Sequence, residues 1–337
     1  GSNGLAGISD YLVWYAKDKE RAKYHELLTE KLAGEGTMYT WLELKDGTRR
    51  RMTDDERRTA KNYPVGARAF RPDTLISAGH TETCVYDFEF ESRTYKCGRK
   101  SWKTNREGMQ RLIEKRRVIA PAETPSYVRY FDDFPVQALN NLWDDTGGAS
   151  DMRYVVQTST KVITRCILMT SDPGDLVLDI TCGSGTTAFV AEQWGRRWIT
   201  CDTSRVALAI ARQRLLTATF PFYRLADPER GISSGFIYET VPHITLKSIA
   251  NNEPPAQEIL YDKPAVDPSF VRLSGPFTVE ALPAPVVFSP DEAANSGNES
   301  AKLSDWREQL KATGIIGRRG ERIRFTRVEE RKGTRWL

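Results

Sequence analysis

The chain holds 337 residues, enough for two domains at roughly 100 to 200 residues each. Its 49 Lys and Arg against 45 Asp and Glu give a formal charge of +4, so it is no histone-like polycation, and any nucleic-acid face must come from local clustering. A mean hydropathy of -0.51 and the lack of any apolar run near the ~20 residues of a membrane span argue against a membrane protein. The five cysteines, Cys84, Cys97, Cys166, Cys182 and Cys201, are odd in number and lack C-x-x-C spacing. They suggest neither a disulfide framework nor a metal site and point to a reducing, cytoplasmic setting. The start at Gly1-Ser2 reads as a cloning scar before an internal segment, so the chain is expected to be a fragment.

Residues 8 to 16, aromatic and β-branched, predict a mostly buried strand. A charged helix is expected from Lys19 to Leu32, stopped by Gly34 and Gly36. Residues 37 to 150 are short apolar pieces cut by Asp46-Gly47 and several prolines, with one helical stretch at Arg106 to Arg116, which predicts a small mixed domain. The pattern then changes to a helix over Thr158 to Met169, a turn at Asp172-Pro173-Gly174 and a strand at Leu176 to Leu178. A glycine loop, a helix through Trp194 closed by Gly195, a strand at Trp198 to Cys201 and a helix from Arg205 to about Ala218, N-capped by Ser204, complete the run. This is one βαβα unit of a parallel sheet. Further strands are expected near Phe236 to Thr240, Val271 to Val279 and Ile323 to Val328, with a helix at Ser304 to Ala312 and a loop at Ser289 to Ser300.

The glycine loop reads Asp179-Ile180-Thr181-Cys182-Gly183-Ser184-Gly185-Thr186-Thr187, with Asp202 ending the next strand. Glycines between a strand and a helix let a ligand approach the backbone. No lysine follows Gly185, which excludes a P-loop. Gly183-x-Gly185-x-x-Ala188 with a downstream acid fits a dinucleotide, and hence an NAD-type oxidoreductase. S-adenosylmethionine fits too, and Asp179 favours it: a carboxylate there would repel a pyrophosphate but engage an ammonium. Asp202 serves either ligand through ribose hydroxyls, and Thr186 and Thr187 are expected to cap the helix and meet a ligand carboxylate.

These residues resemble the β-class DNA amino-methyltransferases, including type III modification subunits, whose cofactor loop is D-P-x-x-G-S-G-T-T. Ile180 replaces the proline and Cys182 a frequent phenylalanine. Thr158 to Ile167 is similar to the family's preceding helix without its Lys-Pro, which makes Gln157 and Thr158 cofactor-contact candidates. The similarity runs from about Tyr154 to Leu215. It implies an α/β, Rossmann-like S-adenosylmethionine-dependent methyltransferase sheet, an inserted mixed α+β target-recognition domain and a strand-rich C-terminal extension. The implied division is 1–18 as the end of the catalytic half, 19–150 for target recognition, 151–228 for the cofactor and 229–337 for the extension. The family's catalytic [DNS]-P-P-[YFW] loop, which holds an extruded base, is not found, so no catalytic residue is assigned. The implied activity is adenine-N6 methylation of double-stranded DNA, within a full-length enzyme that this chain alone does not reproduce. Implied partners are the missing catalytic half, a restriction subunit and a second copy. A non-catalytic DNA-binding specificity subunit is the other alternative.

Basic runs bear on DNA. Lys45 to Arg71 has nine Lys and Arg against four acids, and Arg93 to Arg117 has ten against two. Arg49, Arg50, Arg51, Arg99, Lys100 and Lys103 are the expected phosphate contacts, with Tyr95, Trp102 and Phe70 as base-stacking candidates. The Arg-rich stretch from Arg318 to Arg335 is balanced between a solvated face and a second contact surface. Trp14, Trp143, Trp194 and Trp198 are expected as core or interface anchors, and His25, His80 and His243 lack spacing for metal or triad chemistry.

Overall fold

A computed structural model of the chain describes residues 10–31, 37–147, 157–281, 308–316 and 322–327. It divides into two compact units, residues 1–275 and 276–337. Residues 10–16 form no helix or strand and pair with no described strand, with Tyr11 at 89% and Trp14 at 56% exposure. The strand expected there is not formed, and Trp14 is not a core anchor. The helix expected over Lys19 to Leu32 is likewise replaced by a single 3-10 turn, Lys19–Arg21, and strand β1, Leu28–Glu30. Leu27 and Leu28 are both buried but in different clusters, facing opposite sides as strand neighbours do.

Strands β2 (Trp41–Glu43) and β3 (Arg49–Arg51) form a hairpin, followed by helix α1 (Asp54–Arg58) and strand β4 (Arg68–Thr74). A second hairpin, β5 (Phe88–Phe90) with β6 (Arg93–Tyr95), precedes helix α2 (Arg106–Glu114). Strands β7 (Val118–Ile119) and β8 (Ser126–Tyr130) complete an antiparallel sheet of order β3-β2-β4-β8-β7. Strand β9 (Val136–Ala138) pairs antiparallel with β1. Phe70, Trp102 and Tyr95 are 0%, 1% and 7% exposed. All three are core residues, so the expectation that they stack on bases is corrected: rings closed inside the protein cannot reach a base.

The parallel unit follows: helix α3 (Thr160–Thr170), strand β10 (Leu176–Asp179), helix α4 (Thr186–Gln193), strand β11 (Arg197–Thr200) and helix α5 (Arg205–Thr217). β10 and β11 pair in parallel, Leu178 opposite Ile199. One face of this pair, with Val177 and Trp198, packs on Ile167, Leu168, Val190 and Trp194 of the flanking helices. Leu176, Leu178 and Ile199 point the other way and are more than half exposed. Strand β12 (Thr219–Tyr223) and strand β13 (Tyr238–His243) come next, then helix α6 (Leu246–Asn251), β14 (Ala256–Pro264) and β15 (Val266–Leu273). β12 pairs with β15 and β13 with β14, all antiparallel. Residues 251–281 thus hold two strands where the sequence predicted one. Pro264 and Pro268 sit in the two-stranded ribbons, where a missing N–H has an outward side to face.

In the second unit a helix spans 308–313, and β16 (Ile315–Ile316) pairs with β17 (Arg322–Ile323). The Ser289 to Ser300 loop and Arg318, Arg319, Arg331, Lys332 and Arg335 lie outside the described residues. No helix among the described residues is long and apolar enough to cross a membrane.

Candidate functional site

The glycine loop lies beyond the carboxyl ends of β10 and β11, where open α/β sheets place ligands. Cys182 N–H donates to Cys201 O and Cys201 N–H to Asp179 O, both 2.9 Å, so the two strand ends are tied together past the last paired residues. Asp202 closes the loop from the second strand: Oδ2 accepts from Gly183 N–H at 2.9 Å and Oδ1 from Ser204 N–H at 2.8 Å. Those two backbone donors, Ser204 first, hold its carboxyl below the usual range. Asp179 Oδ1 accepts from Thr181 N–H at 3.0 Å, a short turn that presents the carboxylate at the loop's mouth.

Two glycines are needed for shape. Gly183 and Gly185 have φ of +50° and +75°. A Cβ on Gly185 would stand 2.7 Å from Ala211 Cβ and 3.1 Å from Ala211 Cα, so the loop rests directly on α5. Gly185 is also the residue before α4, and no side chain caps that helix. The expected capping by Thr186 and Thr187 does not occur, because Thr186 is already the first helical residue. The leading N–H groups of α4 have no partner within the helix and face the loop.

Ser184 and Thr186 are 2% and 6% exposed and turn inward. Arg214, 4% exposed on α5, donates to Thr186 Oγ1 at 3.1 Å and Ser184 Oγ at 3.4 Å, with its guanidinium 4.6 Å from the Phe189 ring centre. Ser184 Oγ also donates to Gln157 Oε1 at 2.9 Å. The structure therefore brings Asp179, Thr181, Cys182, Gly183, Ser184, Gly185, Thr186, Thr187, Asp202 and Gln157 into one neighbourhood, while Thr158 is exposed before α3. Cys182 is buried, and burial pushes its thiol up. Arg214 was missed by sequence reasoning. Its only signal was an arginine on the otherwise apolar Ala207, Ala211, Leu215 stripe of a helix.

The six basic candidates separate into two groups. Arg49 pairs with Glu43 at 2.6 Å and also donates to Val118 O, Arg116 O and Tyr130 Oη. Arg50 makes a two-pronged pair with Glu56 at 2.8 and 2.7 Å, and Arg51 lies over Trp41. Arg99, Lys100 and Lys103 are exposed and make no ion pair among the described residues.

A family model described as DNA methylase (N6_N4_Mtase) matches residues 2–213. The chain belongs to that family. Among its relatives, the type II methyltransferase M2.DpnII of Streptococcus pneumoniae is 41% identical over 63 residues, 19% of this chain and 24% of that protein. The probable type III restriction-modification enzyme HindVI Mod subunit of Haemophilus influenzae is 36% identical over 90 residues, 24% of this chain and 12% of that protein. Among solved structures, the M1.HpyAVI–SAM complex is 26% identical with a TM-score of 0.20, over 20% of this chain and 34% of that one. The matches thus span a quarter or less of these two methyltransferase relatives.

Proposed function

We propose that this chain supplies the S-adenosylmethionine-binding and DNA-recognition parts of a site-specific methyltransferase acting on adenine N6 in double-stranded DNA. One observation carries the reading: in a chain of the DNA methylase family, two carboxylates, Asp179 and Asp202, flank a glycine loop at adjacent parallel strand ends. The donor set fits the cofactor. Asp202 keeps lone pairs for ribose hydroxyls, Asp179 meets the ammonium, and the α4 N–H groups with Thr187 face the carboxylate. Ser184 and Thr186 act through their backbone, since their hydroxyls serve Arg214 and Gln157. When bound, S-adenosylmethionine supplies a methyl group on a positively charged sulfur. The chain's own residues fix its position, the main demand of an in-line displacement.

No [DNS]-P-P-[YFW] occurs in the sequence. Acceptors for the exocyclic amine and a ring to stack on the extruded base therefore come from another polypeptide segment, and this chain alone transfers no methyl groups. That catalytic segment, double-stranded DNA, a restriction subunit and a second copy are the proposed partners, in the cytoplasm. Arg99, Lys100 and Lys103 are the proposed phosphate contacts. The test pairs two measurements. S-adenosylmethionine, and not NAD, should raise the melting temperature by mass action, and tritiated methyl groups should enter DNA only when a polypeptide carrying the [DNS]-P-P-[YFW] loop is added. A melting shift with NAD alone overturns the cofactor; robust incorporation by this chain alone overturns the division of labour.

A further inference from the structure

On the five-stranded sheet, Arg71 of β4 stands directly opposite Arg129 of β8. Directly opposed like charges destabilise an antiparallel pair, and here both share one carboxylate. Asp73 lies 3.0 Å from Arg71 Nε and 3.8 Å from Arg129. The Arg71 Nε–H, though buried, is not aligned for a hydrogen bond; its terminal nitrogen donates to Asp73 Oδ2 at 3.1 Å instead. These three side chains are only 23%, 32% and 27% exposed, so water screens them weakly.

A third cation comes from the chain after β1. Lys31 donates its ammonium to Phe134 O and lies 5.0 Å from that ring's centre. Burial, then the charges of Arg129 and Arg71, hold it below the ordinary lysine range. Asp133, the other nearby carboxylate, is 1% exposed and fully engaged with Arg117 and the Tyr130 N–H. Arg71 and Arg129 thus share one available acid, and Lys31 is electrostatically coupled to both arginines, in a protein that neutralises Arg49 with Glu43 and Arg50 with Glu56 on the same sheet. Arg71 also stacks over the Tyr39 ring at 5.6 Å and donates to Met38 Sδ at 3.4 Å, contacts that carry no negative charge and leave the repulsion between the cations uncompensated.

We propose that Lys31, Arg71 and Arg129 form an anion site that takes a phosphate group, from inorganic phosphate or from a phosphodiester of nucleic acid. A tetrahedral anion supplies several acceptors to guanidinium and ammonium donors at once, which one shared carboxylate does not. The site stands apart from the glycine loop, and its assignment does not depend on methyl transfer.

The full chain is melted in phosphate and in chloride at matched ionic strength, for the wild type, Arg129→Gln, Lys31→Gln and, as a charge-matched control, Arg57→Gln on α1. Phosphate should raise the wild-type and Arg57→Gln melting temperatures above their chloride values. Arg129→Gln should melt no lower than wild type in chloride, because the opposed charge is gone, yet lose the phosphate increment; Lys31→Gln should lose most of it. A short DNA duplex then separates the sources. If a backbone phosphodiester occupies the site, the slope of log affinity against log salt falls by about one in Arg129→Gln; an unchanged slope with the phosphate increment lost assigns free phosphate. No wild-type increment, or an increment kept in both site variants, overturns the proposal. So does its equal loss in Arg57→Gln.

Discussion

Gly185→Ala isolates what the glycine loop demands of its sequence. Two penalties act there. The backbone sits at φ +75°, where a Cβ costs about 1–2 kcal/mol. The added carbon also meets Ala211 Cβ at 2.7 Å and Cα at 3.1 Å. Neither atom can swing aside, since Ala211 is a buried residue inside α5, so overpacking adds about 1–3 kcal/mol. The variant should lose about 2–5 kcal/mol in total. Gly98→Ala is the control: its φ is +64° but nothing lies within 4 Å of the added carbon, so only the backbone penalty applies. Urea unfolding followed by tryptophan fluorescence reads both, because Trp194 lies just past α4. S-adenosylmethionine affinity should fall in Gly185→Ala and stay unchanged in Gly98→Ala. Equal destabilisation of the two variants would refute the close approach of the loop to α5.

Three other perturbations draw on the same side chains. Arg50 and the Thr53 N–H hold the Glu56 carboxyl at about 2 rather than 4.5; a lowered acid stabilises the fold above its unfolded value and loses that contribution as pH falls from about 4.5 to about 2. Acid titration of stability should therefore be shallower in Glu56→Gln over that window. Charge reversal at Arg99, Lys100 and Lys103 should lower the salt slope of DNA binding by about one for each phosphate no longer neutralised and leave melting unchanged, whereas reversal at Arg49, Arg50 and Arg51 breaks two ion pairs and should lower the melting temperature. Arg214→Met leaves two buried hydroxyls without their donor and should cost about 1–3 kcal/mol in unfolding experiments, with weaker ligand binding.

The βαβα unit was legible because each of its boundaries has a local cause. Ser204 accepts from Ala207 N–H as the N-cap of α5, and Gly195 takes φ +72° where α4 ends. Residues 10–31 were misread for the opposite reason: their conformation depends on partners distant in sequence. Leu28 pairs with Ala138, and Lys23 is held by Asp172 and Asp175 at 2.7 and 2.6 Å. Nothing within the segment encodes those pairings. The loop residues were found by motif, yet the inward turn of Ser184 and Thr186 depends on Arg214, 28 positions beyond Thr186.

The basic runs differ in how local turn and cap chemistry pairs their charges. Asp46-Gly47 is a hairpin turn, with Gly47 at φ +85° and its N–H bonded to Leu44 O. A turn there fixes the register, and register puts Glu43 opposite Arg49. Six residues further on, Glu56 answers Arg50 through the capping box at Thr53. Both pairs follow from local turn and cap chemistry, so the acids that neutralise this run stand within one hairpin or one helical turn of it. The segment around Arg99 differs. Gly98 at φ +64° turns the chain after β6, and no acid lies between Arg93 and Arg106. Within the run only Lys96 meets a carboxylate, Asp87 at 3.3 Å, while Arg99, Lys100 and Lys103 make no ion pair among the described residues and so remain free to meet phosphates, as Arg49 and Arg50 do only by breaking their pairs with Glu43 and Glu56.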